Sequence, residues 1–582
     1  MRLSIVTSPN AKQFYVIKSY RDKNGKNTSK IVEKLGNEEE VLKKAKGKDP
    51  VEWAKEYITK LNKEEKTGST PVLITKYPNK LIEKDSPNCF NIGYLFLQKI
   101  YHELELNKLC TTIAEKYKFE YDLDSMLSRL IYGRIIFPSS KLSTSKLSNK
   151  FIEQPNFNWF EVYRALEVIS KETDFIQSEL YSNSLNISKR NTSILYYDLT
   201  NYFFEMEEED GLKKYGKSKE HRPNPLVQMG LFMDGDGIPL AFCINPGSTN
   251  EQITLKPLEQ KILDDFKLAS FIVCTDAGLA SDANRKFNDK EDRAFITTQS
   301  IKKLKDFLKE WSLSPDGWRI SDPKSKTEKD KIYNIDKLEE TEESKELYKD
   351  RAFYKERWIK ETGLEQRLIV TYSIKYKDYH RKIRESQVER AKKLIDKKPD
   401  KLGKVNQNDF KRFIKKTNYT SDGEVAENVI YSIDADVIAN EEIFDGFYGV
   451  CTNLEDDVSS IVEINKRRWE IEESFRIMKS EFKARPVYLK RDDRITAHFT
   501  TCFLALVVYR FLEKRLEGKF TSSEIIETLR EMTFFKSSED SYEPSYTRTD
   551  LTDALHEKFE FRTDYEVFNM SAMKKIFRKT KS

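Results

Sequence analysis

ILYYDLTNYFFE, residues 194–205, reads as a buried strand interrupted by one charge. Its apolar and aromatic side chains run almost continuously, as in a strand covered on both faces, and Asp198 stands among them. A carboxylate in that setting is costly unless something compensates it. Two more strand-like runs follow, LVQMGLFMD (226–234) and IPLAFCINPG (238–247), with Asp234-Gly235-Asp236-Gly237 as the turn between them. A helix candidate over 251–266 leads to a fourth strand, SFIVCTD (270–276), and then a fifth, RAFITTQ (293–299).

The order β-β-β-α-β-(α)-β is the opening half of a ribonuclease-H-like sheet, in an α/β (mixed) chain. First and fourth strands are neighbours in such a sheet, so Asp198 and Asp276 are expected side by side. Asp276 is followed by Ala-Gly-Leu-Ala-Ser, a turn small enough to leave room for a ligand. Residues 300 to 445 are highly charged and break the progression, which reads as an insertion; they include WRISD, RLIVTYSIKY and a long helix, DYHRKIRESQVERAKKLI. YGVCTN (448–453) returns to strand character.

A helix then spans 464–482, INKRRWEIEESFRIMKSEF. Taken as continuous at 100° per residue from Arg468, it puts Glu472 near ~40°, Asn465 near ~60°, Arg476 near ~80° and Lys479 near ~20°. Ile464, Ile471, Phe475, Met478 and Phe482 fill the adjoining sector, so one carboxylate and several polar groups border the buried face. Ordinary i,i±4 pairing of Glu472 with Arg468 and Arg476 is the plainer explanation. The carboxylates upstream favour a site. Packed on the sheet, this helix would bring Glu472 to Asp198 and Asp276. Three crowded carboxylates repel one another unless cations neutralise them, and hard oxygen ligands with open positions suit two Mg²⁺ or Mn²⁺ ions. Such a pair can drive phosphodiester exchange.

At 582 residues and 38% hydrophobic, the chain is long enough for several cores. With 101 Lys+Arg against 96 Asp+Glu, the net charge of +5 does not by itself announce a nucleic-acid partner, so a binding surface needs segregated charge. Residues 1–70 carry 16 Lys+Arg against 10 Asp+Glu, and the last nine residues carry five cations and no acid, making both candidate phosphate-contacting segments. The six cysteines form no C-x-x-C pair and five histidines do not join them, which argues against structural zinc. Phe499–Leu512, the most apolar stretch, contains Arg510 and falls short of a membrane span, so no membrane is expected. The N-terminus reads as strands QFYVIKSY and SKIVEKLG around a turn at Asp22-Lys23-Asn24-Gly25, then a charged helix, with Gly68-Ser69-Thr70-Pro71 as a joint. From Asn91 to about Ser188 the pattern is helical.

Several ordered motifs resemble one family. Arg468, Glu472 and Lys479 fit the Y-x-x-R-x-x-x-E-x-x-x-x-x-x-K signature of DDE transposases of the insertion-sequence-four type. IEESFRIMKSEFKARPVY (471–488), DLTNYFFE, GKSKEHRPNPLVQMGL (216–231), GIPLAFCINPGSTNE (237–251) and TDAGLASDAN (275–284) resemble the subgroup of insertion sequence sixteen-thirty-four. The signature tyrosine falls on Asn465, which can bond a phosphate but not stack.

The resemblance implies a DNA transposase with catalytic, metal-holding residues Asp198, Asp276 and Glu472. Arg468, Lys479, Asn465 and Arg476 would contact DNA, as would Lys217, Lys219 and Arg222 in a basic loop that also holds His221. His498 is expected to be a hydrogen-bonded core histidine rather than a site residue. It further implies binding of terminal inverted repeats and target DNA, cleavage and strand transfer with Mg²⁺, a homodimer on DNA, and a cytoplasmic, nucleoid-associated prokaryotic location. The chain then divides into 1–80; a helical DNA-end-binding region, 81–190; the first part of the catalytic core, 191–300; an insertion domain, 301–445; the second part of the core, 446–520; and a C-terminal region with a basic tail, 521–582. A decayed or domesticated DNA-binding copy keeps the same residues. A metal-dependent nuclease on this fold leaves the Arg468/Lys479 spacing and the insertion unexplained.

Overall fold

The computed structural model describes residues 1–8, 11–21, 27–45, 47–67, 74, 78–79, 81–397, 409–419, 428–538 and 541–582. The chain forms two units, one of residues 1–86 with 537–542, the other of 87–536 with 543–582. The expected turn at 22–25 and the joint at 68–71 lie outside the described residues.

In the first unit, β1 (Arg2–Ser8), β2 (Ala11–Arg21) and β3 (Asn27–Asn37) form an antiparallel sheet, adding a leading strand to the pair expected from the pattern. Helices Glu38–Ala45 and Pro50–Thr67 follow. Phe14, Val16, Leu35, Val41, Ala54 and Ile58 make its core.

In the second unit, a short strand β4 (Cys89–Asn91) precedes six helices between Tyr94 and Ile187. Four of them pack on helix Asp492–Arg515, which is long and apolar enough to cross a membrane but is 94% buried inside the protein over its most apolar window. Its apolar surface is therefore spent on a core. The basic C-terminus is a helix, Met570–Thr580, docked on helix Tyr94–Glu103 through Met573, Ile576 and Thr580. Lys581 pairs with Glu153 and Lys579 with Glu560, so part of the expected phosphate-contacting tail is already neutralised.

The rest of the unit is built on one sheet. β5 (Ile194–Phe203), β6 (Leu226–Asp234), β7 (Pro239–Pro246), β8 (Phe271–Thr275) and β9 (Arg293–Gln299) fall where the pattern put them. Their spatial order, β7-β6-β5-β8-β9, is that of a ribonuclease-H-like sheet. The β6–β7 turn closes as expected, with Gly237 at φ +79° and its N–H donating to the Asp234 carbonyl, a conformation that favours glycine. Arg190 and Asp234 form a fully buried ion pair at 2.6 Å, and the same guanidinium donates to the carbonyls of Ile238 and Pro239.

Residues 301–445 contribute further strands to this sheet. Their strands β10 (Arg319–Ile320), β11 (Phe353–Glu361) and β12 (Leu364–Tyr372) continue the same sheet. Helix Ile374–Asp396 and a hairpin, β13 (Ile414–Tyr419) with β14 (Asn428–Ile433), follow. β15 (Phe447–Thr452) then inserts antiparallel between β12 and β9, giving nine strands. Trp318, Phe353, Leu368, Val370 and Tyr372 pack beneath this extension.

Candidate active site: a carboxylate cleft ringed by cations

β5 and β8 are parallel neighbours, in register at Leu195↔Val273 and Tyr196↔Cys274. Asp198 lies two residues beyond Tyr196 and Asp276 two beyond Cys274, so both point to the same face of adjacent strands. Asp276 Oδ1 accepts from the backbone N–H of Gly278 and of Leu279, each at 3.0 Å. A side chain added at Gly278 would put its Cβ 3.3 Å from Asp276 Oδ1, so the small residue keeps that face of the carboxylate open. Asp198 Oδ1 accepts from Leu199 N–H at 2.7 Å. Burial pushes the Asp198 carboxyl up to about 6; Asp276 pushes the same way, against Lys219 and Arg468. This site asks for positive charge.

The third carboxylate arrives on a helix, but not the continuous one that the 3.6-residue pattern suggested. The segment is two helices, Val458–Lys466 and Trp469–Ser480. At the junction, Arg468 N–H bonds to Asn465 and Ile471 N–H to Arg468, three residues back instead of four. The break changes the phase on its N-terminal side. Asn465, placed by the continuous helix on the polar border, is buried instead: its Nδ2 donates to the Tyr448 hydroxyl at 2.9 Å and its Oδ1 lies 3.8 Å from Cys274 Sγ. It ties β15 to β8.

Beyond the break the phase holds. Glu472, Arg468 and Lys479 line one cleft with Asp198, Asp276 and Lys219, of about 540 Å³. Arg468 Nη1 is 3.7 Å from Glu472. Burial weakens its positive charge, but the Tyr448 hydroxyl, Asp198, Asp276 and Glu472 together outweigh burial and hold the guanidinium above its ordinary range. One cation thus pairs with Glu472 and feels the charge of Asp198 and Asp276 as well. Lys479 reaches over the Tyr202 ring; burial lowers its ammonium to about 8, with Lys219 pushing the same way and Asp198 opposing.

The other expected residues divide. Arg476 lines the cleft wall, but its guanidinium is committed to Glu473 and to Ser522, not to Glu472. Lys219 enters the cleft and donates to the Leu199 carbonyl. Lys217 is exposed and tied by its carbonyl to Asn201, while Arg222 stacks over Phe203 at 4.2 Å. His498 is a core residue bonded to the Ala484 carbonyl at 3.1 Å, with burial holding it well below its usual range. Residues not expected at a site also line the cleft: Phe475, read as a core position of the helix, and Thr200, Ser480 and Arg485. Arg485 belongs to KARPVY just past the helix, a stretch that signalled the family but offered no periodicity to place its side chains.

Three hard-oxygen donors, one of them desolvated and repelled by its neighbour, with a glycine-kept opening beside another, fit one or two divalent cations. Among the described residues, the group of acids and histidine whose ligand-type atoms all lie within 4.8 Å of one another is Asp553, His556 and Asp564, and there Arg548 and Arg562 already neutralise both carboxylates. Burial brings the His556 ring down to about 4.

Residues 363–508 match the family described as the transposase DDE domain, a span that contains Arg468, Glu472 and Lys479 and excludes Asp198 and Asp276. No curated protein matches the chain. Among solved structures, the cryo-EM structure of a piggyBac transposase synaptic complex with hairpin DNA is similar over 84% of each chain, with 8% identity and a TM-score of 0.34.

Proposed function

We propose that this protein is a DNA transposase of the insertion-sequence-four type. It would bind the terminal inverted repeats of its own element as a homodimer and cleave and rejoin DNA strands with two Mg²⁺ ions. The observation that carries this reading is the shared cleft: carboxylates from two adjacent parallel strands and from a helix, with Arg468 among them. The match of residues 363–508 to the transposase DDE domain supports it from an independent direction.

Asp198, Asp276 and Glu472 are the residues that would hold the metal ions. When bound, those ions supply Lewis acidity at the scissile phosphodiester. The chain supplies the rest. Arg468 pairs with Glu472 and opposes the mutual repulsion of the carboxylates around it, and its fork can also meet a phosphate oxygen. Lys219 and Lys479 stand on the same wall, where they would orient the DNA backbone without reading sequence. Sequence recognition then falls to surfaces outside the cleft, for which the basic N-terminal region and the helices before β5 are candidates.

The test is excision in cells. A selectable marker flanked by the DNA that borders this gene is supplied together with the protein. Precise loss of the marker and its reappearance elsewhere are expected with the wild-type chain and not with Asp276→Asn. Marker loss that persists in Asp276→Asn would remove the carboxylate cleft from the reaction.

A further inference from the structure

Glu220 does not belong to the pattern around it. It lies inside the basic loop Lys217-Ser218-Lys219-Glu220-His221-Arg222, yet it turns inward while exposed Lys217 and Arg222 flank it. The Ser218 hydroxyl accepts from the backbone N–H of Glu220 and of Arg222, closing a tight turn. The carboxylate is aimed at two cations that arrive from a distant part of the chain: Lys479 at 3.7 Å, near the end of the helix carrying Glu472, and Arg485, in direct contact, just past it.

The charges of the cleft therefore have partners within the chain. Lys219 faces Asp198, Arg468 faces Asp198, Asp276 and Glu472, and Lys479 and Arg485 face Glu220. Each of the four carboxylates is faced by at least one cation, and Arg222 is a further partner of Glu220 at 4.0 Å. Three of those carboxylates belong to the proposed metal set, and the fourth, Glu220, stands on the cationic wall away from it. A carboxylate presents two oxygens to a lysine and an arginine much as a phosphodiester presents its two non-bridging oxygens. Arg485 and Lys479 are both largely shielded, with side chains 27% and 14% exposed, so they are held in place and not free in solvent.

We propose that Lys479 and Arg485 form a subsite for one DNA backbone phosphate, and that Glu220 occupies it as an internal stand-in until DNA displaces it. The inference rests on the transposase reading and names a residue, Arg485, that positions the substrate beside the carboxylates. Two divalent ions would add four positive charges to the cleft, so metal and phosphate would favour each other's binding. The Glu220 loop then swings out or pairs with another cation. Glu220 would act as a brake: in its absence the subsite is open to any phosphate of suitable reach.

The experiment uses the full-length protein with a fluorescein-labelled duplex taken from the gene's flanking DNA, an unrelated duplex of equal length, and, separately, inorganic phosphate. Without divalent metal, Glu220→Gln is expected to bind both duplexes roughly tenfold more tightly than wild type. Its salt dependence should be steeper by about 0.9 in log–log slope, the value for one added phosphate contact. That gain should vanish in Glu220→Gln/Arg485→Gln, because the two side chains act on one another and their effects cannot add. Inorganic phosphate should raise the melting temperature of Glu220→Gln more than that of wild type, again only with Arg485 present. Unchanged or weaker DNA binding by a folded Glu220→Gln variant overturns the inference, as does a gain that survives loss of Arg485. Phosphate binding that follows this pattern while no duplex binds any variant upholds the subsite and overturns the DNA reading instead.

Discussion

Asp198→Asn should make the metal-free protein more stable, and only where the aspartate is ionised. The carboxyl rises from its ordinary 3.8 to about 6 in the folded protein, chiefly through burial. A folded-state value above the unfolded one means that the folded state binds the proton more tightly. The penalty is therefore absent below about pH 4, grows through the window between the two values, and is complete above about pH 6. At about 1.4 kcal/mol per unit, the shift corresponds to about 3 kcal/mol. Asparagine keeps the shape and an acceptor for Leu199 N–H without the charge. The assay is urea unfolding in chelator at pH 4.5 and pH 7.5, followed by a repeat at pH 7.5 with Mn²⁺. The variant should exceed wild type by about 3 kcal/mol at pH 7.5, with most of the gap closed at pH 4.5. Mn²⁺ should stabilise wild type far more than the variant, because binding to the folded state alone adds to stability. A gap that is the same at both pH values, or a variant less stable at pH 7.5, would refute the assignment of Asp198 as a strained, metal-seeking carboxylate.

Three more expectations follow from the geometry. Gly278→Ala places a methyl group 3.3 Å from Asp276 Oδ1; DNA cleavage should fall well before thermal stability does, whereas parallel losses would mean only a misfolded turn. Arg468→Lys keeps the charge but loses the planar fork that pairs with Glu472 in the cleft it shares with Asp198 and Asp276, and single-turnover cleavage should drop about 100-fold, the scale of losing one aligned electrostatic contact; near-wild-type rates would reduce Arg468 to a bystander. Arg190→Met strands the buried Asp234 carboxylate and should cost about 3–5 kcal/mol in urea unfolding, while a loss below about 1 kcal/mol would show that the pair is not desolvated.

What was legible in the sequence was local. The strands at 194–203, 226–234 and 271–275 announced themselves as apolar runs, and the turn at 234–237 by its glycines. Their order was enough to make Asp198 and Asp276 neighbours. What escaped was set by distant partners. Nothing in a charged stretch says that 353–372 will extend a sheet begun at 194, because strand pairing across such separations leaves no periodicity of its own. The break at Arg467–Arg468 was hidden because helical spacing persists on both sides of it, and Asn465 turned inward as a result. Glu220 was overlooked in a loop read as basic, since a single acid among cations looks like a solvated pair until its distant partners are known. The C-terminal cations looked free for the same reason, before Glu153 and Glu560 were seen beside them.

The central claim is that Asp198, Asp276 and Glu472 act together on a DNA phosphodiester. Its most direct test is strand cleavage by purified protein on duplex DNA spanning the gene's flanking boundary, with Mg²⁺ or Mn²⁺, comparing wild type with Glu472→Gln. Nicks at the boundary by wild type, and none by Glu472→Gln despite equal DNA binding, are the expected result. Equal cleavage by both proteins would contradict it, because Glu472 would then lie beside the chemistry without taking part.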